Sequence, residues 1–384
     1  MSREAAAYVV GGAGNQRTVE RNRAAFDGWG LRPRMLADVE DRDLSISLLG
    51  CQLEAPILVA PIGVLELVHE QADLAVARAT ASLGIPYVFS NQASVNMEAC
   101  AAAMGDGPRW FQLYWSRSNE LVESFVARAE RSGCEAIVVT LDTTMLGWRT
   151  QDLDRAYLPF LRGKGIAQYT SDPVFMERVR TSPSPARNGG GGFSLSTLRN
   201  AIELARTYPS GWSGLRSGEA IDAVRTFIDI YSRPNLTWAD LPFLRERTRL
   251  PILLKGILHS DDAKRAVEEG ADGIIVSNHG GRQVDGAVGA LDALPEVVAA
   301  VAGRVPVLMD SGIRSGSDII KAIALGARAV MVGRPYVYGL AIDGEDGVRA
   351  VLENLLADLD LNLGLCGKRS LAELSPSDLM RLPG

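Results

Sequence analysis

Eight short, β-rich apolar runs recur along the chain with helical stretches between them, and this alternation constrains the fold more than any other feature. The runs are APILVAPI (Ala55–Ile62), PYVFSN (Pro86–Asn91), WFQLYW (Trp110–Trp115), AIVVTLD (Ala136–Asp142), PILLKGI (Pro251–Ile257), GIIVSNH (Gly273–His279), VPVLMDS (Val305–Ser311) and AVMVGRP (Ala329–Pro335). Strands apolar on both faces belong to parallel sheets that helices cover on both sides. The intervening stretches include amphipathic helices at Asp261–Glu269 and Asp318–Leu325, for which Ser260 and Ser317 are the predicted N-caps. Eight such units predict an α/β chain folded as a (β/α)8 TIM barrel, with a doubly wound sheet as the alternative. The expected organisation is one domain over 1–384 with a barrel core of about 55–340. A long insertion of about 162–234 between strands four and five is expected to act as a lid or an oligomer contact. Its glycine run in RNGGGGFS reads equally well as a surface loop.

Barrels of this kind build their sites at the carboxyl ends of the strands. Here those ends carry Ser90, Gln112, Tyr114, Thr140, Asp142, Lys255, Ser277, His279, Asp310 and Arg334. The most specific stretch is GIIVSNHGGRQVD, where one of only three histidines, His279, precedes Arg282 across two glycines. A base beside a fixed cation suits chemistry on a small acid, because one removes a proton while the other holds a carboxylate. An isolated His–Arg pair is more often structural; the other strand ends reverse that preference. The seventh and eighth strands lead into MDSGIRSGSDI and VGRPYVYG. Gly312, Arg314, Gly333 and Arg334 there have the chemistry of a phosphate pocket, with close backbone approach and two positive charges.

The composition narrows the partners. A net charge of −6 and a pI near 5.3 provide no basic stripe for nucleic acid. The N-terminus has no signal-peptide core and no apolar run reaches membrane-spanning length. The four cysteines have neither metal-ligand spacing nor disulfide density. A cytoplasmic enzyme without metal, membrane or nucleic-acid partners is the expectation.

From Tyr8 onward the chain resembles the FMN-dependent α-hydroxy acid oxidase and dehydrogenase family, through SNHGGRQ, LDALPEV, DSGIRSGSDIIKAIALGA and VGRP. RPRML, FQLY, TLDT, LGWR, PFLRG and YTSDPVF bring it nearest to the branch that couples lactate oxidation to decarboxylation. The resemblance implies FMN as cofactor, with a small L-2-hydroxy acid and O2 as substrates. It makes His279 the base, Asp142 the carboxylate that stabilises its imidazolium, Arg282 and Arg149 the clamp on the substrate carboxylate, and Tyr114 and Tyr8 phenolic partners of the substrate. For the flavin it implies Lys255 near N1 and O2, and Ser90, Gln112, Thr140 and Ser277 on the ring. Backbone of Pro61, Ile62 and Gly63 would cover one face, Asp310 would take the ribityl hydroxyls, and Gly312, Arg314, Gly333 and Arg334 the phosphate. Assembly as a homotetramer or homo-octamer is implied on the same ground.

The chain departs from the family pattern at three places. Only seven residues precede Tyr8, so the start is trimmed or that end of the barrel is covered differently. Asn15 and Gln16 replace a common acidic pair, and Gln92 stands where a residue lining the substrate pocket is expected. The expected outcome is lactate converted to acetate, carbon dioxide and water. The alternatives are release of the keto acid and hydrogen peroxide, on lactate or on an acid selected by Gln92, and a catalytically silent flavin-binding sensor or scaffold.

Overall fold

The computed structural model describes residues 1–155, 157–181 and 195–383. All eight predicted runs contain strands: β1 (Ile57–Val59), β2 (Tyr87–Phe89), β3 (Arg109–Leu113), β4 (Ile137–Thr140), β5 (Ile252–Ile257), β6 (Gly273–Val276), β7 (Val307–Met309) and β8 (Ala329–Val332). They pair in parallel, each with its neighbour in sequence, and β8 closes onto β1, so the sheet is a (β/α)8 barrel and not an open doubly wound sheet. The strands are shorter than the apolar runs because every run but PILLKGI, which loses only Pro251 at its start, continues past the ladder into the loop at its carboxyl end. Val59, Phe89, Leu113, Val139, Leu254, Val276, Met309 and Val332 are all buried, which explains the continuous apolar pattern.

Two helix starts differ from the sequence reading. His259, not Ser260, caps Ser260–Glu268, its Nδ1 accepting from Asp261 N at 3.1 Å. Ser315, not Ser317, caps Gly316–Ala324, its Oγ accepting from Asp318 N at 3.3 Å. In both cases a residue upstream already has the extended backbone that a cap requires, so the helix begins earlier than its apolar periodicity shows.

Outside the barrel, Trp29–Leu31 pairs antiparallel with Leu379–Arg381, joining the two ends of the chain, and Ile46–Leu48 forms a hairpin with Cys51–Leu53. Between β4 and β5 the described helices include Pro173–Thr181 and Glu219–Ile230. They are fastened by an aromatic cluster in which the ring centroids of Tyr169 and Phe227 lie 4.8 Å apart and those of Phe160 and Phe227 5.4 Å apart. The glycine run Gly189–Gly192 lies outside the described residues. Among those described, no helix is long and apolar enough to cross a membrane.

Candidate active site

At the carboxyl ends of the strands a cleft opens, a common place for small-molecule sites in such barrels. Its lining brings together Tyr8, Pro61, Ile62, Gly63, Gln92, Tyr114, Arg149, Lys255, His279, Arg282, Asp310, Gly312, Arg314, Gly333 and Arg334, residues spread over more than 300 positions of sequence. Ser90, Gln112, Thr140, Ser277 and Asp142 are not among the lining side chains; they stand behind it and hold it. Val9, Ala60, Ser311, Ile313 and Met331 also line the cleft, and sequence reasoning missed them because they are apolar or small; Gly280, also in the lining, is one of the two glycines after His279 that allow close approach of a ligand. Ser311 alone had a readable signal, its place at the end of β7.

His279 leaves β6 with φ 58°, in the left-handed region that a non-glycine residue rarely enters. Such conformations cost on the order of 1–3 kcal/mol and persist where the surroundings over-determine them. Here Ser277 Oγ accepts from His279 N at 3.0 Å, and Nδ1 lies 3.0 Å from Asp142 Oδ1. With Nδ1–H donated to the carboxylate, Nε2 keeps its lone pair. Burial pushes the His279 imidazole below its ordinary value, Asp142 opposes that shift, and Lys255 and Arg149 reinforce it. Burial would raise the Asp142 carboxyl, but His279 and Lys255 hold it below the usual carboxylate range. The pair therefore rests as neutral imidazole and carboxylate, the state a general base requires. β5 shifts register between Lys255 and Ile257, and the intervening Gly256 has φ 106°; a Cβ there would stand 3.0 Å from Asp142 Cβ. The bulge and the glycine together make room for the carboxylate.

Lys255, 3 % exposed, reaches Asp310 Oδ2 at 2.7 Å and Ser277 Oγ at 2.8 Å. Ser311 Oγ donates to Asp310 Oδ1 at 2.7 Å and accepts from Gly280 N at 2.9 Å, linking the ends of β5, β6 and β7. On the opposite side Gln112, fully buried, accepts from Ser90 Oγ at 3.3 Å and donates to Thr140 Oγ1 at 3.0 Å. One hydrogen-bonded chain thus spans the ends of β2, β3 and β4.

Four arginines crowd the cleft, and their donors go to backbone carbonyls and one amide instead of carboxylates. Arg282 donates to Tyr8 O and Gly11 O, and Arg334 to Val9 O, Gly280 O and Gly11 O. Arg149 reaches the Gln283 side chain, and Arg314 its neighbour's carbonyl, Ile313 O. Burial, then the charge of Arg149, pushes Arg282 down to about 9; burial chiefly lowers Arg334 to about 10. Both stay protonated at neutral pH. Excess positive charge held in a buried cleft fits two anionic groups, a phosphate by Arg314 and Arg334 and a carboxylate by Arg149 and Arg282. The donor set therefore fits FMN together with a small acid.

Comparison with known proteins agrees with this fit. Residues 1–381 match the family described as FMN-dependent dehydrogenase. The chain is 42% identical over 383 residues to the FMN-dependent alpha-hydroxy acid dehydrogenase qulF of Penicillium citrinum, covering 100% of this chain and 88% of that protein. It is 41% identical over 377 residues to L-lactate oxidase of Lysinibacillus sphaericus, covering 98% and 88%. Among solved structures, mandelate oxidase with (S)-4-hydroxymandelic acid superposes with a TM-score of 0.80 at 36% identity, covering 99% of this chain and 94% of that one. The family match makes this closed barrel, with its arginine-lined cleft at the strand ends, an oxidoreductase scaffold built around FMN. The chain belongs to the FMN-dependent dehydrogenase family and is an FMN-dependent hydroxy acid oxidoreductase.

Proposed function

We propose that the cleft oxidises a small L-2-hydroxy acid, with L-lactate the first candidate and O2 the terminal oxidant. The observation that carries this reading is that His279, backed by Asp142 at 3.0 Å, faces the same cleft as Arg149 and Arg282. FMN, when bound, supplies the acceptor for the two electrons leaving the substrate Cα. Arg149 and Arg282 hold the substrate carboxylate, and Tyr114 and Tyr8 orient the acid by hydrogen bonds. His279 Nε2 takes the hydroxyl proton, and Asp142 stabilises the imidazolium as it forms. Lys255, Ser90, Gln112, Thr140 and Ser277 would hold the ring, with Pro61, Ile62 and Gly63 over one face. Asp310 would take the ribityl hydroxyls, and Gly312, Arg314, Gly333 and Arg334 the phosphate. Gln92, on the cleft wall, would select the substrate side chain. Assembly as a homotetramer or homo-octamer belongs to the same reading and is checked by sedimentation.

Release of the keto acid with hydrogen peroxide is the outcome supported by the similarity to L-lactate oxidase. A second reading, lactate 2-monooxygenase, is favoured by LGWR and PFLRG; it requires that the keto acid stay with the peroxide and be decarboxylated to acetate. The test is anaerobic mixing of the FMN-loaded protein with L-lactate, glycolate and L-mandelate, then aeration. Bleaching by one acid supports the reading, and the products after air distinguish pyruvate plus peroxide from acetate plus carbon dioxide. A flavin that no 2-hydroxy acid bleaches would overturn it.

A further inference from the structure

We infer that Gln283 is a positioning residue, whose side-chain amide fastens the loop carrying Asp142 and Arg149 onto the loop carrying His279 and Arg282. Gln283 closes the SNHGGRQ stretch and does not line the cleft. Its Nε2 donates to Asp142 O at 2.6 Å and to Met145 O at 2.8 Å. Its Oε1 accepts from Gly147 N at 3.2 Å and from Arg149 Nη2 at 3.3 Å. Two donors and two lone pairs are all that the amide possesses, so it is saturated. Every partner lies on the loop after β4, whereas Gln283 belongs to the loop after β6.

The barrel topology gives this contact its significance. β5 stands between β4 and β6, so no strand ladder joins the two loops. They meet instead through the His279–Asp142 pair, through Arg149 Nε, which donates to Arg282 O at 3.4 Å, through Gln283, and through the backbone of Gly147, where a Cβ would stand 2.8 Å from Gln283 Cα. The amide grips the main chain of Asp142 and the guanidinium of Arg149, so it sets the carboxylate beside His279 and the second arginine beside Arg282 together. The charged groups that bear on His279 are Asp142 and Arg149 from the loop after β4 and Lys255 from β5.

The inference rests on the roles proposed above for His279, Asp142 and Arg149, and its test reads them without turnover. The chain has three histidines, so 15N-histidine NMR can follow His279 with His69 and His259 as internal references. In FMN-loaded Gln283→Met, which keeps length but loses all four bonds, His279 should titrate at lower pH than in the unaltered protein, because Asp142 no longer raises it. Oxalate binding, read from the flavin spectrum, should weaken roughly tenfold, since a displaced Arg149 loses charge-assisted hydrogen bonds to the carboxylate. Gln283→Asn, too short to reach all four partners, should fall between. The inference stands if both readouts move in FMN-loaded protein, and is overturned if either keeps its unaltered value. Loss of FMN in both variants would also overturn it, by making Gln283 a support of the whole cradle. If no 2-hydroxy acid reduces the unaltered protein, the functional reading fails while the His279 comparison remains readable.

Discussion

His279 combines a left-handed backbone with a carboxylate partner, and each feature has a separate consequence. His279→Ala should keep FMN, because the residues proposed for the phosphate and the ring lie elsewhere, yet slow anaerobic flavin reduction by about 10²–10⁴-fold, the usual contribution of a general base. Stopped-flow bleaching measures this, and an unchanged rate would remove His279 from the chemistry. The pH response has a definite sign. With His279 as the proposed base, catalysis needs it neutral; burial already lowers it from the ordinary 6.5, so kcat/KM should fall on the acid side below that value. Asp142 opposes the lowering, so Asp142→Asn should move the acid limb to still lower pH while reducing the plateau. A limb displaced to higher pH would contradict the assigned pairing.

The elements around His279 are joined by buried side-chain amides. Asn22, on the helix Arg17–Asp27, and Asn278, at the end of β6, exchange hydrogen bonds of 2.8 and 2.7 Å. Asn278 Oδ1 also accepts from Gly281 N at 3.1 Å, which fixes the turn that follows His279. Both asparagines are nearly inaccessible, so Asn22→Ala leaves the Asn278 amide partly unsatisfied in the interior. The expected loss is about 1–3 kcal/mol of stability. Urea denaturation of the FMN-loaded protein checks this, and an unchanged midpoint would mean that water replaces the lost partner. In sequence, Asn278 is visible within SNHGGRQ, but Asn22 sits 256 positions away in a polar helix with no distinguishing pattern.

For the whole molecule, the arginines around the cleft make cofactor binding and stability one equilibrium. FMN that binds only the folded chain should raise stability by about 2.7 kcal/mol at a hundredfold excess over its dissociation constant. Melting temperature should therefore climb with added FMN in cofactor-stripped protein, and Arg334→Ala should flatten that dependence. A melting temperature independent of FMN would contradict a cleft adapted to its phosphate. Arg334, directly after β8, already engages the carbonyls of Val9 and Gly11 at the end of the helix Arg3–Val10.

The sequence by itself determined a parallel sheet wrapped in helices, because eight runs apolar on both faces have few other ways to be buried, whereas its closure into a barrel is decided by the pairing of β8 with β1. It also determined which chemical groups stand at the strand ends, since a polar residue directly after a buried run must emerge at the rim. Strand lengths and helix starts were legible only approximately, as with Ser260 and Ser317, because backbone geometry and not periodicity decides where a ladder ends or a cap falls. The tertiary structure alone decided how those groups meet: the 3.0 Å approach of His279 to Asp142, the Asn22–Asn278 exchange, and the grip of Gln283 on the loop after β4. Such contacts join positions more than a hundred residues apart, and their distances follow from closure of the barrel and the packing of its loops.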